Sequence, residues 1–82
     1  MNRDDLLAIV REELAVAAPD VPADAEESAT FRGDLEVDSL AILEFVARLE
    51  YRFGVAVPDE DWPQLTSIGA VVDYLADAQV SA

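Results

Sequence analysis

The chain has 82 residues, of which 18 are Asp or Glu and only 5 are basic, so its net charge is −13 at pH 7. This charge makes nucleic acid and anionic membranes poor partners and basic protein surfaces good ones. The sequence lacks His, Lys and Cys, which excludes disulfides and thiolate metal sites and removes the usual bases that activate a nucleophile. We therefore do not expect an enzyme.

The length and a hydrophobic content of 52% predict one small domain over residues 1–82, ordered from about residue 3 to residue 79. Acidic residues interrupt the first twenty positions, which argues against a signal peptide, and no apolar run has membrane-spanning length. No helix pattern shows an extended second apolar seam. We therefore expect a cytoplasmic monomer.

The first predicted element is a helix over residues 3–17. It is predicted to end before Pro19, because the residue preceding proline disfavours helical geometry. Asp5, Glu12 and Glu13 are predicted to lie off the core face. The apolar residues that share the core face at helical spacing are Leu6, Leu7, Val10, Leu14 and Ala17.

A long acidic loop is predicted over residues 18–38, with Phe31 and Leu35 as its anchors to the core. Loops of this length in small domains tend to be functional. Three of its acids, at positions 34, 36 and 38, alternate like the first ligands of a calcium loop. That motif then requires Gly and, later, Glu, where this chain has Ser39 and Phe45. We therefore predict no dedicated metal site, and loose binding of divalent cations by the acidic loop is the alternative left open.

The second predicted helix covers residues 39–53, with Asp38 as its N-cap and Gly54 as its C-terminal stop. Its core face consists of Ile42, Phe45, Val46, Leu49 and Phe53. Residues 55–57 are predicted to form an extended loop.

A short third helix is predicted to start at Pro58, with Trp62 as its anchor. Thr66 or Ser67 is predicted to cap a last helix over about residues 67–79, and the tail from Val80 is expected to fray. Its inward residues are Ile68, Val71, Val72 and Leu75. The sequence thus predicts an all-α fold, a small four-helix bundle with three long helices, one short helix and a long first loop.

Ser39 stands where the acidic loop meets the second helix, framed by carboxylates. A helix start favours an attached phosphate, because backbone N–H groups and the helix dipole converge there. Ser39 is therefore a candidate modification site that another enzyme could reach. The alternative is that Ser39 is only a helix-capping or first-turn residue.

A stripe of residues on the second helix starts beside Ser39. Leu40, Glu44, Ala47 and Tyr51 recur at helical spacing away from the core face. We call these four residues the docking strip, because exposed apolar groups around one acid would suit a partner protein. The alternative is that Leu40 and Tyr51 pack under the third helix.

Together these segments resemble the acyl carrier protein family over about residues 3–78. The resemblance is strongest from Phe31 to Phe53, where it includes the triplet of residues 38–40. It continues in residues 57–60, Val-Pro-Asp-Glu, and in residues 66–75. It implies a four-helix fold and a carrier that has no catalytic residues of its own.

The resemblance further implies that a phosphopantetheinyl transferase attaches 4′-phosphopantetheine from coenzyme A to Ser39, beside Asp38. The thiol of this arm would carry an acyl group as a thioester between acyl-loading, condensing and modifying enzymes with basic docking surfaces. The docking strip would then lie on the family's partner-recognition helix. The acyl chain is expected to lie against residues such as Val46, Ile68 and Leu75.

The chain departs from typical fatty-acid carriers at several positions. Glu36 and Val37 replace the glycine that usually stands two or three residues before the serine. The second helix has fewer acids than usual and carries Arg48 and Arg52. We therefore expect a discrete, actinobacterial-type carrier in polyketide or specialised lipid and fatty-acid biosynthesis. An aminoacyl or peptidyl carrier, and an acidic helical interaction module without a prosthetic group, remain as alternatives.

Overall fold

The computed structural model describes the backbone of residues 1–81 and the side chains of residues 1–78. Within this part of the chain, three α-helices and one short 3-10 helix follow one another without any strand. They are α1 (Arg3–Ala17), α2 (Ser39–Phe53), the 3-10 helix (Asp59–Gln64) and α3 (Ile68–Ser81). The predicted all-α fold with three long helices and one short helix is confirmed.

The ends of α1 and α2 agree with the prediction because local side chains fix them. Asn2 and Asp38 cap the two N-termini by accepting hydrogen bonds from Asp5 N and Ala41 N, each over 2.8 Å. Gly54 ends α2 with φ of 65°, a left-handed conformation that glycine adopts without a steric penalty.

The last helix differs slightly from its predicted bounds. Ser67 is its cap, since its Oγ accepts from Ala70 N over 3.2 Å, so α3 begins one residue later than predicted. Its backbone continues to Ser81, two residues beyond the predicted end. The tail was expected to fray from Val80, but the backbone of residues 80 and 81 still belongs to α3, and residue 82 lies outside the described residues.

The short helix is of the 3-10 type and is fastened by two side chains. Pro63 lies inside it and lacks the N–H that a continuing α-helix needs. Trp62 is half-buried against the core and donates from Nε1 to Val57 O over 3.4 Å. Tyr74 of α3 donates from its hydroxyl to Asp61 Oδ2 over 2.7 Å, which ties the short helix to α3.

The core lies where α1 packs against both α2 and α3. Phe31 of the long loop and Phe45 of α2 meet edge to face, with ring centroids 5.6 Å apart and an interplanar angle of 75°. Both rings are 1% exposed, so the loop contributes a full aromatic side chain to the core. Leu7, Ala17, Ile42 and Phe53, predicted as core, are only partly buried at its margin.

Glu13 contradicts the prediction that it lies off the core face of α1. It is only 8% exposed, and its carboxylate accepts hydrogen bonds from Arg48 Nε over 2.7 Å and from Arg52 Nη1 over 2.8 Å. A buried carboxylate is stable only when it is paired in this way. The prediction failed because both partners come from α2, far along the chain.

Candidate functional site

Ser39 is the first residue of α2 and its side chain is exposed. The N-cap of this helix is Asp38, whose Oδ1 is committed to Ala41 N. Ser39 is therefore a first-turn residue whose hydroxyl is not needed for capping. Asp38, predicted to take part in cofactor binding, lies beside it and sets the start of the helix.

Arg32 is the side chain that contacts the Ser39 hydroxyl. It donates a hydrogen bond from Nη1 to Ser39 Oγ over 2.9 Å. The sequence pattern did not predict this contact, because the two residues are seven positions apart in a segment without periodicity. Only the path of the loop brings the guanidinium to the start of α2.

The backbone around Arg32 is held by a tight turn. Thr30 N donates to Asp34 Oδ2 over 2.9 Å, and Asp34 N donates back to Thr30 Oγ1 over 3.1 Å. A Cβ at Gly33 would lie 2.8 Å from Thr30 Oγ1, so the turn has no room for a larger residue there. Next to Arg32 on its N-terminal side, Phe31 N donates a hydrogen bond to Thr66 O over 2.9 Å, which ties the loop to the residues before α3. Arg32 thus extends from an ordered backbone.

Glu36 occupies an unusual backbone conformation three residues before Ser39. Its φ is 53°, and among the described residues it is the only non-glycine with a positive φ. The left-handed region disfavours side chains that have a Cβ. Glycine would adopt this geometry without the steric cost, so the positive φ indicates local strain at Glu36.

The surroundings of Ser39 fit a phosphopantetheine arm. The Oγ atom is at the surface, at the start of a long helix, and its neighbour Arg32 is a cation suited to a phosphodiester. In the part of the chain with described side chains, no three carboxylates come together in a way that could hold a metal ion. Asp34 is instead used in the turn with Thr30.

The four residues of the docking strip are all exposed on α2. Leu40 is 80% exposed and Tyr51 is 92% exposed. The alternative that these two side chains pack under the third helix is therefore wrong. Leu43 lies beside the strip and is 58% exposed, but the prediction did not include it. Its spacing of three residues from Leu40 and four from Ala47 could have placed it on the same face of α2.

An open groove of about 470 Å³ runs along one side of the strip. It is lined by Glu13, Glu44, Ala47, Arg48, Tyr51 and Arg52. Glu13 lies between the two arginines, which hold the pKa of its carboxyl below the usual value by hydrogen bonding first from Arg48 and then from Arg52. The positive charges of α2 are therefore paired on the α1 side and are not free on the strip.

Val46, Ile68 and Leu75, expected to contact the acyl chain, lie in the core with exposures of 1%, 0% and 1%. An acyl chain that enters among them would have to displace packed side chains. None of the described helices combines the length and the apolar character needed to cross a bilayer.

Comparison with known proteins places the chain in a family. Residues 4–75 match the family model described as "Phosphopantetheine attachment site". The chain is 35% identical over 82 residues to the acyl carrier protein of Acidothermus cellulolyticus, covering 100% of this chain and 98% of that protein. It is 37% identical over 78 residues to the acyl carrier protein of Helicobacter pylori strain G27, covering 95% of each.

A solved structure agrees with these relatives. The acyl carrier protein from Enterococcus faecalis superposes with a TM-score of 0.76 and 33% sequence identity, covering 94% of this chain and 98% of that one. Membership of a carrier family removes the alternative of an acidic helical module without a prosthetic group, and carriers are not enzymes. The chain therefore belongs to the acyl carrier protein family, whose phosphopantetheine-binding domain holds a covalently attached 4′-phosphopantetheine.

Proposed function

We propose that Ser39 is the attachment residue and that the protein shuttles acyl groups between the enzymes of a biosynthetic pathway. The exposed Ser39 Oγ at the start of α2 is the observation that carries this proposal. When bound, the arm supplies a terminal thiol that holds the acyl group as a thioester. The protein itself contributes the attachment oxygen, the rigid helix behind it and the surface that partners recognise.

Attachment is a group transfer in which Ser39 supplies the nucleophile. The bond from Oγ to the phosphorus of the phosphopantetheine forms, the pyrophosphate bond of coenzyme A breaks, and adenosine 3′,5′-bisphosphate leaves. The hydroxyl proton passes to a base on the transferase, since His and Lys, the side chains that most often activate a hydroxyl, are absent from this chain. Arg32 points a donor at Oγ, so it leaves the hydroxyl hydrogen free to face that base.

The docking strip is the proposed contact surface for the transferase and for acyl-handling enzymes. It offers two exposed apolar side chains, Leu40 and Tyr51, on either side of the single carboxylate of Glu44. A basic partner would be steered by the net charge of −13 and would then contact the apolar groups. The pairing of Arg48 and Arg52 with Glu13 supports this, since it reduces their repulsion of such a partner.

The pathway is proposed to be polyketide or specialised lipid biosynthesis, and the protein is proposed to act as a cytoplasmic monomer. A carrier that serves many basic enzymes profits from a uniformly acidic second helix. The strip of this chain has one acid among four residues, which favours a narrower set of partners.

The experiment that tests the attachment uses intact mass. Apo protein is incubated with coenzyme A, Mg²⁺ and a broad-specificity transferase, and the mass of one phosphopantetheine should be gained. Ser39→Ala should gain nothing, whereas Ser28→Ala, which removes another exposed hydroxyl of the long loop, should be modified like the wild type. Modification of Ser39→Ala would contradict the proposal.

The cargo is tested on protein purified from its native host. Intact mass of this material should show the arm and an acyl group on it. Loading of an amino acid by an adenylating enzyme would instead identify an aminoacyl or peptidyl carrier and would contradict the proposed acyl cargo.

A further inference from the structure

Arg32 differs from the other arginines of the protein in what it contacts. Arg3 pairs with Glu27 and Asp73, and Arg48 and Arg52 pair with acids of α1. Arg11 donates to two backbone carbonyls, Ala23 O and Ala25 O. Among the described residues, Arg32 contacts no carboxylate, and its hydrogen bond is to the hydroxyl of Ser39.

This arrangement is unexpected for a chain in which acids outnumber arginines by 18 to 5. An arginine on so acidic a surface ordinarily finds a carboxylate. Two acids close to it in the sequence have other partners, because Asp34 accepts a hydrogen bond from Thr30 N and Asp38 accepts one from Ala41 N. Arg32 therefore keeps its charge available at the position of the Ser39 oxygen.

The proposed attachment adds a charge at that same oxygen. The phosphorus of the arm is bonded to Ser39 Oγ, so the anionic oxygens of the phosphodiester are two bonds beyond the atom that Arg32 already reaches. Arginine binds such oxygens through several N–H groups at once. Without a cation, the new charge would lie among Glu36, Asp38 and a surface with a net charge of −13.

We propose that Arg32 holds the phosphodiester of the arm and so fixes the root of the arm against the long loop. This inference rests on the proposed attachment to Ser39. Arg32 is a positioning residue in this role, because it neither carries cargo nor takes part in acyl transfer. The ordered backbone between Phe31 and the Thr30–Asp34 turn supports it, since a guanidinium that is already in place loses less side-chain freedom on binding.

The test compares four holo proteins by phosphorus NMR: the wild type, Arg32→Gln, Arg32→Lys and Arg3→Gln. Each is loaded with excess transferase until intact mass shows complete conversion. Arg3→Gln is the matched control, because it removes the same charge from the far end of α1. The phosphodiester resonance of Arg32→Gln should shift and sharpen, that of Arg32→Lys should lie between, and that of Arg3→Gln should equal the wild type.

The salt dependence of the phosphorus resonance and the thermal unfolding temperature provide two further measurements. High salt should move the wild-type resonance toward that of Arg32→Gln and leave the variant unchanged, because the contact is exposed to solvent. Loading should lower the Tm of Arg32→Gln more than that of the wild type, by roughly 1–5 °C at low salt.

The outcomes separate this inference from the proposed function. A wild-type protein that gains no mass would contradict attachment to Ser39 itself. If the fully loaded wild type and Arg32→Gln show the same phosphorus resonance, the proposed role of Arg32 is overturned, whereas the attachment to Ser39 is not. A change of equal size in Arg3→Gln would also overturn it, because the effect would then come from net charge and not from the contact.

Discussion

Arg48 of α2 donates a hydrogen bond from Nε to Oε1 of Glu13 on α1 over 2.7 Å. Glu13 is largely buried, and its other oxygen accepts from Arg52, so one carboxylate joins α1 to two successive turns of α2. This contact fixes the spacing between the helix that carries the docking strip and the helix behind it. It also keeps both arginines on the α1 side of the strip.

The first prediction concerns the stability of this pairing. Glu13→Gln should lower the free energy of unfolding by about 1–2 kcal/mol at pH 7, because a neutral amide cannot accept a charge-assisted hydrogen bond from both arginines. Urea unfolding measures this. Glu12→Gln is the matched control, since Glu12 is exposed and makes one 3.4 Å contact with Arg52. Equal losses in both variants would contradict a specific role for Glu13.

The same pairing predicts a pH dependence. The folded pKa of Glu13 lies below its ordinary value of 4.5, chiefly because of the hydrogen bond from Arg48. Its contribution to stability is therefore fully present above pH 4.5 and is lost as the pH falls through the lower folded value. The difference in unfolding free energy between wild type and Glu13→Gln should shrink over that acidic range. A difference that stays constant would contradict the assigned pairing.

The second prediction concerns the left-handed backbone at Glu36. Glu36→Gly should raise the free energy of unfolding by about 0.5–1 kcal/mol, because relief of the steric cost outweighs the extra freedom of glycine in the unfolded chain. Glu36→Gln keeps the Cβ and removes the charge, and it should stay within about 0.5 kcal/mol of the wild type. A larger gain for Gln than for Gly would show that charge, and not backbone geometry, limits stability here.

The third prediction concerns Tyr74, whose hydroxyl donates to Asp61. This hydrogen bond, with burial as a second cause, raises the pKa of Tyr74 to about 12. In a Tyr51→Phe background only Tyr74 contributes phenolate absorbance, because the chain has two tyrosines. At pH 10.0, the ordinary pKa, native Tyr74 should stay almost fully protonated, whereas the urea-unfolded chain should be half ionised. Asp61→Asn should increase the ionised fraction of the native protein at that pH.

The stabilising effect of this hydrogen bond follows from the sign of the shift. Because the folded pKa is raised, the effect is fully present below pH 10.0 and is lost as the pH rises toward about 12. Circular dichroism at each pH checks that the bundle remains folded. Half ionisation of Tyr74 in the folded protein at pH 10.0 would contradict the structural assignment.

The fourth prediction concerns the docking strip. Glu44→Arg should raise the KM of the transferase and of native partner enzymes by roughly 10-fold or more at low salt, because it places like charges opposite each other in the complex. Its circular dichroism and Tm should remain close to those of the wild type, since the position is exposed. Glu26→Arg, with the same change of charge in the exposed part of the long loop, is the control. Equal KM values for Glu44→Arg and the wild type would remove Glu44 from the recognition surface.

Much of the fold could be predicted from the sequence because it depends on neighbouring residues. Helical spacing of apolar side chains, the cap at Asp38 and the stop at Gly54 act within a few positions, so α1 and α2 begin and end where predicted. The short helix was located correctly, although it is of the 3-10 type. Ser39 was identified from its sequence context, and its attachment role stays a prediction until its mass is measured.

The tertiary structure decided the contacts between residues that are distant along the chain. An acid at position 13 looks like a surface residue in any local pattern, and it is buried here only because Arg48, 35 positions later, compensates its charge. Arg32 reaches Ser39 because the loop is pinned by Phe31 and by the Thr30–Asp34 turn. Local periodicity thus specified the helices and the face of α2 that carries the docking strip, whereas charge pairing and loop packing, which act across space, determined the burial of Glu13 and the contact of Arg32 with Ser39.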